Sequence, residues 1–206
     1  MLSETNHSLS KEEINQLPLG RYDGEVIQIG TPEGLAEALK DLRRERVLGF
    51  DTETKPSFKK GTTHKPALIQ LAGSERVYLF LLRKFPLESD LAALLSDPAI
   101  IKAGVAIRDD MRFLTALHDF APAGMADLGD LARKNNLGVY GLRPLAAQLL
   151  GMRISKSARC SNWNNDSLTA QQVSYAATDA WISRQIYLRM AELGFSMSPG
   201  SASPRK

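Results

Sequence analysis

Apolar residues fall into two rhythms along this chain. Short runs rich in Val, Ile, Leu and Phe alternate with longer stretches in which apolar positions return every three or four residues. The runs GEVIQIG (24–30), RVLGFDT (46–52), PALIQLA (66–72), the segment 76–82, AIIKAGV (99–105) and a short stretch near 123–126 read as strands, the first as an edge strand. The spacing predicts helices over 31–45, 87–96, 109–119, 127–135, 141–151 and from Thr169 to about Leu193. Their ends carry the expected signals: Thr31 caps a helix with Pro32 in its first turn, Asp127 and Thr169 can cap, and Gly194 can end the last helix. A short helix, KEEINQL, follows Ser10, with Ser10 and Glu13 spaced as a capping box. Strands followed by alternating helices predict an α/β sheet with helices on both faces. Residues 1–20 form a polar N-terminal extension, 21–195 one globular domain, and 196–206 a small, polar, Pro- and Gly-bearing tail expected to be disordered.

Acidic residues stand where buried elements end. Strand alternation puts Asp51 and Glu53 on one side, with Thr52 opposite. Two carboxylates leaving a buried strand on one side repel each other and are costly to desolvate. A hard cation with oxygen ligands would remove that conflict, although two solvated acids at a strand end are also common. In the last helix Tyr175 and Asp179 are four residues apart and share a face lined by alanines. In the helix after AIIKAGV, Asp110 heads the buried row with Leu114 and Leu117. Asp109 reads as a solvated acid favoured by the helix dipole. Asp127 reads as a structural cap.

Bulk properties narrow the class. A length of 206 residues suits one domain with a good core. No apolar run is long enough to cross a membrane, and the polar start MLSETNHSLSKEE is unlike a signal peptide. The single cysteine, Cys160, excludes internal disulfides, fits a reducing, cytoplasmic setting, and is expected to be a small packed residue. A net charge of +3 is too small to signal nucleic-acid binding by itself. Local clusters matter more: Lys55 with Lys59 and Lys60, Arg108 with Arg112, and Arg153, Lys156 and Arg159.

The order Asp51-x-Glu53, Asp110, then Tyr175 and Asp179 resembles the DEDD superfamily of 3′-5′ exonucleases, tyrosine subtype. The strings ARCSNWNNDSLTAQQVSYAATDA (158–180), KAGVAIRDD (102–110) and GLRPLAAQLLG (141–151) are similar to the exonuclease domain of Werner syndrome helicase. PALIQLA looks like the second strand of these enzymes and of ribonuclease D. The resemblance spans roughly residues 25–193. The histidine subtype carries His five residues before the last Asp; here that residue is Ser174, and His7, His64 and His118 lie elsewhere. Ribonuclease D-like members often have Asn four residues before the middle Asp, where this chain has Ala106.

The resemblance implies a ribonuclease H-like fold: a mixed five- to six-stranded sheet, its second strand antiparallel, with helices on both faces. It makes 21–195 an exonuclease domain that hydrolyses DNA or RNA from a free 3′ end and releases nucleoside 5′-monophosphates. It implies two Mg2+ or Mn2+ ions held by Asp51, Glu53, Asp110 and Asp179, with Asp51 bridging both and Tyr175 holding the attacking water. Arg159 and Asn162 are candidates for phosphate or sugar contacts. Trp163 either stacks on a base or only packs. The partner is nucleic acid, with no membrane; DNA against RNA and the oligomeric state stay open. An RNA-trimming enzyme of ribonuclease D type, a catalytically silent nucleic-acid-binding module and a protein-interaction scaffold are the competing readings.

Overall fold

The computed structural model describes residues 9–56 and 64–197. Its elements run α1 (Lys11–Gln16), β1 (Glu25–Ile29), α2 (Pro32–Leu42), β2 (Val47–Thr54), β3 (Pro66–Ala72), β4 (Arg76–Leu81), α3 (Ser89–Ser96), β5 (Ile101–Gly104), α4 (Ile107–Thr115), β6 (Met125–Asp127), α5 (Leu128–Lys134), α6 (Leu142–Leu150) and α7 (Ala170–Glu192). The six strands form one sheet in the order β1-β4-β3-β2-β5-β6. Only β3 runs against its neighbours; the other pairings are parallel. β1 is an edge, as its pattern suggests. β2 runs past the expected end through Thr54, with a register shift between Glu53 and Thr54, so both Asp51 and Glu53 sit inside the strand.

Alternation along the central strands sorts the core into two layers. Leu48, Phe50, Ile69, Leu71, Tyr78 and Phe80 face α2, α3 and α4. Leu68, Ala72, Val77, Leu79 and Leu81 face the alanines of α7. Beyond β5, Ala103 and Ala126 meet α5, α6 and the later turns of α7 through Leu131, Leu145, Ile182 and Ile186. The sheet is therefore covered on both faces, which is what buries its parallel strands. α7 starts with a capping box between Thr169 and Gln172, and Gly194 adopts a positive φ just beyond it. Among the described residues no helix is long and apolar enough to cross a membrane.

One buried residue breaks the apolar pattern. Lys102 of β5 is 0% exposed, and its ammonium donates to the carbonyls of Leu94 (3.3 Å), Asp97 (2.7 Å) and Ile100 (2.7 Å). All three donors are satisfied around the end of α3, where carbonyls keep a free lone pair and the dipole favours a cation.

Both ends of the described chain are tied down. α1 has its capping box, and the segment behind it docks on the connection after α6: the Gly20 N–H donates to the Arg153 carbonyl (2.8 Å) and the Arg153 N–H to the Pro18 carbonyl (3.0 Å). At the other end Ser196 exchanges hydrogen bonds with the Asn135 side chain, and Met197 packs on the α5–α7 layer. The tail expected from 196 is therefore held through Met197. Residues 1–8 of the extension, Lys59 and Lys60 of the basic loop, and 198–206 of the tail lie outside the described residues.

Candidate active site

Asp51 and Glu53 leave β2 on the face covered by α7. There they meet Asp179, which is 6% exposed. One carboxylate oxygen from each of the three can be chosen so that all lie within 4.8 Å of one another. The backbones come close to allow this. A Cβ built on Gly49 would stand 1.8 Å from the carbonyl oxygen of Ala180, so only glycine lets the helix approach the strand here.

Asp110 arrives from the other side. α4 packs on the layer that contains Leu48 and Phe50, opposite α7. Thr52 points to that same side, and its hydroxyl donates to Asp110 at 2.5 Å. Asp110 therefore stands outside the group of three, held at the strand end by a residue that strand alternation had made look idle. Asp109 is exposed and pairs with Arg112 at 3.4 Å, a solvated helix-start acid as read. Asp127 accepts from the N–H groups of Gly129 (2.9 Å) and Asp130 (3.2 Å) and also from Ile107 (3.2 Å), so it caps two helices. Ala106, just before α4, has φ +58°, in the left-handed region.

The acids resist ionisation where they stand. Burial pushes the Asp51 carboxyl well above the usual range, and the charges of Asp179 and Asp110 add to this, against one hydrogen bond from the Thr52 N–H. Glu53 is pushed up to about 10 by burial, then by Asp51, Asp179 and Asp110, with Arg159 opposing. Asp179 is pushed up to about 7 by burial, against a hydrogen bond from Tyr175 and the positive charge of Arg143. Burial also raises Asp110, and Thr52 offsets part of that. Among the described residues none of these four acids is in an ion pair. The Tyr175 phenol is driven far above its ordinary value, first by burial and then by Asp179 and Glu53, so it is a neutral donor.

The residues expected to touch substrate separate. Arg159 is exposed, and its charge is felt at Glu53. Asn162 is exposed but engaged in its own turn, accepting from the Asn164 N–H (3.1 Å) and donating to Asn165 (2.8 Å). Trp163 is 2% exposed and packs on Tyr175 with ring centroids 6.0 Å apart. No face is left for a base, so packing is the role this geometry supports. Cys160 is a correction: it is exposed in the turn 157–160 rather than packed. The basic clusters are largely taken up elsewhere. Arg108 pairs with Asp130, Arg112 with Asp109, and the Arg153 Nε donates to the Leu17 carbonyl.

Sequence reading missed three neighbours of the acids. Thr52 has been described. Arg143 of α6 is held by a hydrogen bond from its Nε to the Ile154 carbonyl (3.0 Å), and it acts on Asp179. Gln70 is the cross-strand partner of Asp51, is 0% exposed, and has neither amide atom hydrogen-bonded to protein.

An all-oxygen donor set with excess negative charge, and with no ion pair among the described residues, fits a hard divalent ion. Such an ion would replace the protons that burial and repulsion otherwise hold on these acids. The donor chemistry agrees with a cation site; it does not discriminate magnesium from manganese.

Known proteins share this arrangement of elements. A family model described as 3′-5′ exonuclease matches residues 26–194. The mouse (Mus musculus) bifunctional 3′-5′ exonuclease/ATP-dependent helicase WRN is 38% identical over 156 residues, which cover 72% of this chain and 11% of the relative. Ribonuclease D of Gluconacetobacter diazotrophicus is 32% identical over 170 residues, covering 81% of this chain and 42% of that enzyme. This chain thus spans less than half the length of either. Among solved structures, the Nibbler EXO domain of Aedes aegypti superposes with TM-score 0.73 at 23% identity over 87% of this chain and 94% of its own. Escherichia coli RNase D gives TM-score 0.71 at 23% identity, over 84% and 46% of the two chains. Trypanosoma brucei RNase D in complex with RNA gives 0.70 at 20% identity, over 88% and 65%. These likenesses carry the ribonuclease H-like fold. With the 3′-5′ exonuclease match running from β1 to just past α7, the chain belongs to the 3′-5′ exonuclease family.

Proposed function

We propose that this domain removes nucleotides one at a time from the free 3′ end of DNA or RNA, and that Asp51, Glu53 and Asp179 hold the divalent cation the reaction needs. The single observation that carries this is the convergence of three carboxylates within 4.8 Å, with no ion pair to neutralise them among the described residues. Bound magnesium or manganese supplies the charge that keeps these acids ionised, stabilises charge on the phosphate oxygens and lowers the pKa of water at the site.

The chain's own residues divide the remaining work. The charges of Asp179, from the α7 side, and of Asp110, from the opposite side, both act on Asp51, so it suits a shared position. Thr52 holds Asp110 beside the group, where Asp110 would help to hold a second cation. Tyr175 keeps its proton, so it donates a hydrogen bond and orients water rather than taking a proton away. Arg159, exposed and with its charge acting on Glu53, suits a contact with the phosphate. The product is a nucleoside 5′-monophosphate.

The ribonuclease D relative and the RNA-bound neighbour support an RNA-trimming role as the second reading. A reducing, cytoplasmic setting fits the lone cysteine. Matched DNA and RNA oligonucleotides, with free or blocked 3′ termini, test the function. The reading expects a ladder growing from the free 3′ end, 5′-monophosphate products, and no digestion in chelator. Internal cuts, or binding without cleavage in magnesium and manganese, would overturn it.

A further inference from the structure

A cavity of about 370 Å3 opens beside Tyr175 and Asp179. One wall is the α7 stripe of Gln171, Ser174 and Thr178. The facing wall is Leu19, Gly20 and Arg21, from the segment between α1 and β1. Backbone bonds fix this wall. Besides the bonds between Gly20, Arg153 and Pro18, the Tyr22 N–H donates to Thr178 Oγ1 at 3.1 Å, and the Tyr22 ring packs on Trp181 at 6.0 Å.

Among the described residues the Arg21 side chain makes no hydrogen bond or ion pair, and the Leu19 side chain belongs to none of the apolar core layers. Leu19 is 53% exposed; among the described residues Tyr140 is the other large apolar side chain noted as exposed. Its position is set by main-chain pairing with Arg153, so its side chain is not needed to hold the segment in place. Most arginines are taken up by acids, as Arg76 is by Glu25 and Asp41. The Arg21 guanidinium makes no ion pair among the described residues. An apolar face and a cation unpaired among the described residues, on a backbone pinned across a cavity from Tyr175 and Asp179, match the two chemistries of a nucleotide: a base or sugar to cover and a phosphate to neutralise. The volume is at the small end of ligand pockets, about 300–1,000 Å3, which suits a single nucleotide unit.

We propose that Leu19 and Arg21 are substrate-contact residues: the cavity holds one nucleotide of the strand being degraded, with Leu19 against its base or sugar and Arg21 at a phosphate. That the occupant is a nucleotide rests on the exonuclease reading. The segment between α1 and β1 is then part of the substrate cleft.

Fluorescence anisotropy with a labelled single-stranded oligonucleotide bearing a free 3′ hydroxyl tests this without requiring turnover. Leu19→Ala and Arg21→Ala should each weaken binding three- to tenfold with the melting temperature unchanged, and Leu19→Met should restore it. Arg21→Ala should also flatten the plot of log Kd against log salt by about 0.7, the contribution of one phosphate contact on a single strand. In digestion assays KM should rise while kcat stays within about twofold. Unchanged Kd and salt slope in both alanine variants would overturn the assignment, as would a loss that tracks a lower melting temperature and is not restored by Leu19→Met. If wild-type protein digests nothing but these Kd differences appear, the pocket stands and the exonuclease reading fails. If it digests normally and the variants bind normally, the pocket fails alone.

Discussion

Gly49 of β2 lies against the main chain of Ala180 in α7, closely enough that a methyl group on Gly49 would stand 1.8 Å from the Ala180 carbonyl oxygen. Asp51 follows Gly49 by two residues on the same face, and Asp179 is the residue before Ala180. The distance between strand and helix is therefore also the distance between the acids. Gly49→Ala must push α7 outward, since backbone cannot swing aside as a side chain can. The expected cost is about 1–3 kcal/mol of stability. A displacement near 1 Å would cost on the order of 100-fold in digestion rate. Urea unfolding and a 3′-end digestion assay check both; unaltered activity would mean that the acids do not depend on this contact.

Ala106 carries the backbone strain at the start of α4. Its φ of +58° costs an L-residue with a Cβ roughly 1–2 kcal/mol. Its own side chain offers no cap to the helix, whose first N–H is met by Asp127 instead. Asn tolerates this conformation and can cap, which gives a physical reason for Asn at this position in ribonuclease D-like enzymes. Ala106→Asn should raise stability by about 1 kcal/mol and leave digestion intact. Ala106→Gly should gain less, because glycine adds freedom to the unfolded chain. Melting temperatures equal to wild type in both would argue against the strain.

Trp163 separates packing from stacking. Buried at 2% exposure against Tyr175, it should behave as a core residue. Trp163→Ala should lose about 3–5 kcal/mol in denaturant unfolding. Any activity loss should follow from the displacement of Tyr175. A variant as stable as wild type but weaker in oligonucleotide binding would restore the stacking role.

What the sequence revealed follows from what is local. The last helix carries its cap, its glycine stop and its alanine face in one segment, and its position was readable to within a residue. PALIQLA was likewise complete as a strand. The rest depended on which face of the sheet each helix covers. Periodicity gave Asp110 a buried side but said nothing of α4 lying opposite α7, so the role of Thr52 was invisible. Lys102 sat in a run that read as apolar, because its three carbonyl partners come from the preceding helix end and turn. Gln70 and Arg143 reach the acids through strand pairing and helix packing, with no local motif.

Lys102 also gives the molecule a defined pH response. An unfolded lysine titrates at 10.5, and burial lowers the folded value to about 8. Below pH 8 both states hold the proton, and the native state bears the full cost of the buried charge. Between about 8 and 10.5 the unfolded chain binds a proton that the folded one lacks, so stability from this group rises with pH. Relative to Lys102→Met, wild type should gain about 2–3 kcal/mol between pH 7 and pH 10. Urea unfolding of both proteins across that range measures it; a flat difference would mean that the three carbonyls hold the ammonium charged.

Anomalous diffraction from a crystal soaked in manganese tests the cation site most directly. The expected result is a peak bounded by carboxylate oxygens of Asp51, Glu53 and Asp179, reduced or lost in Asp179→Asn. Clear density for these three side chains with no peak among them, under conditions where the protein digests a 3′ end, would contradict the account.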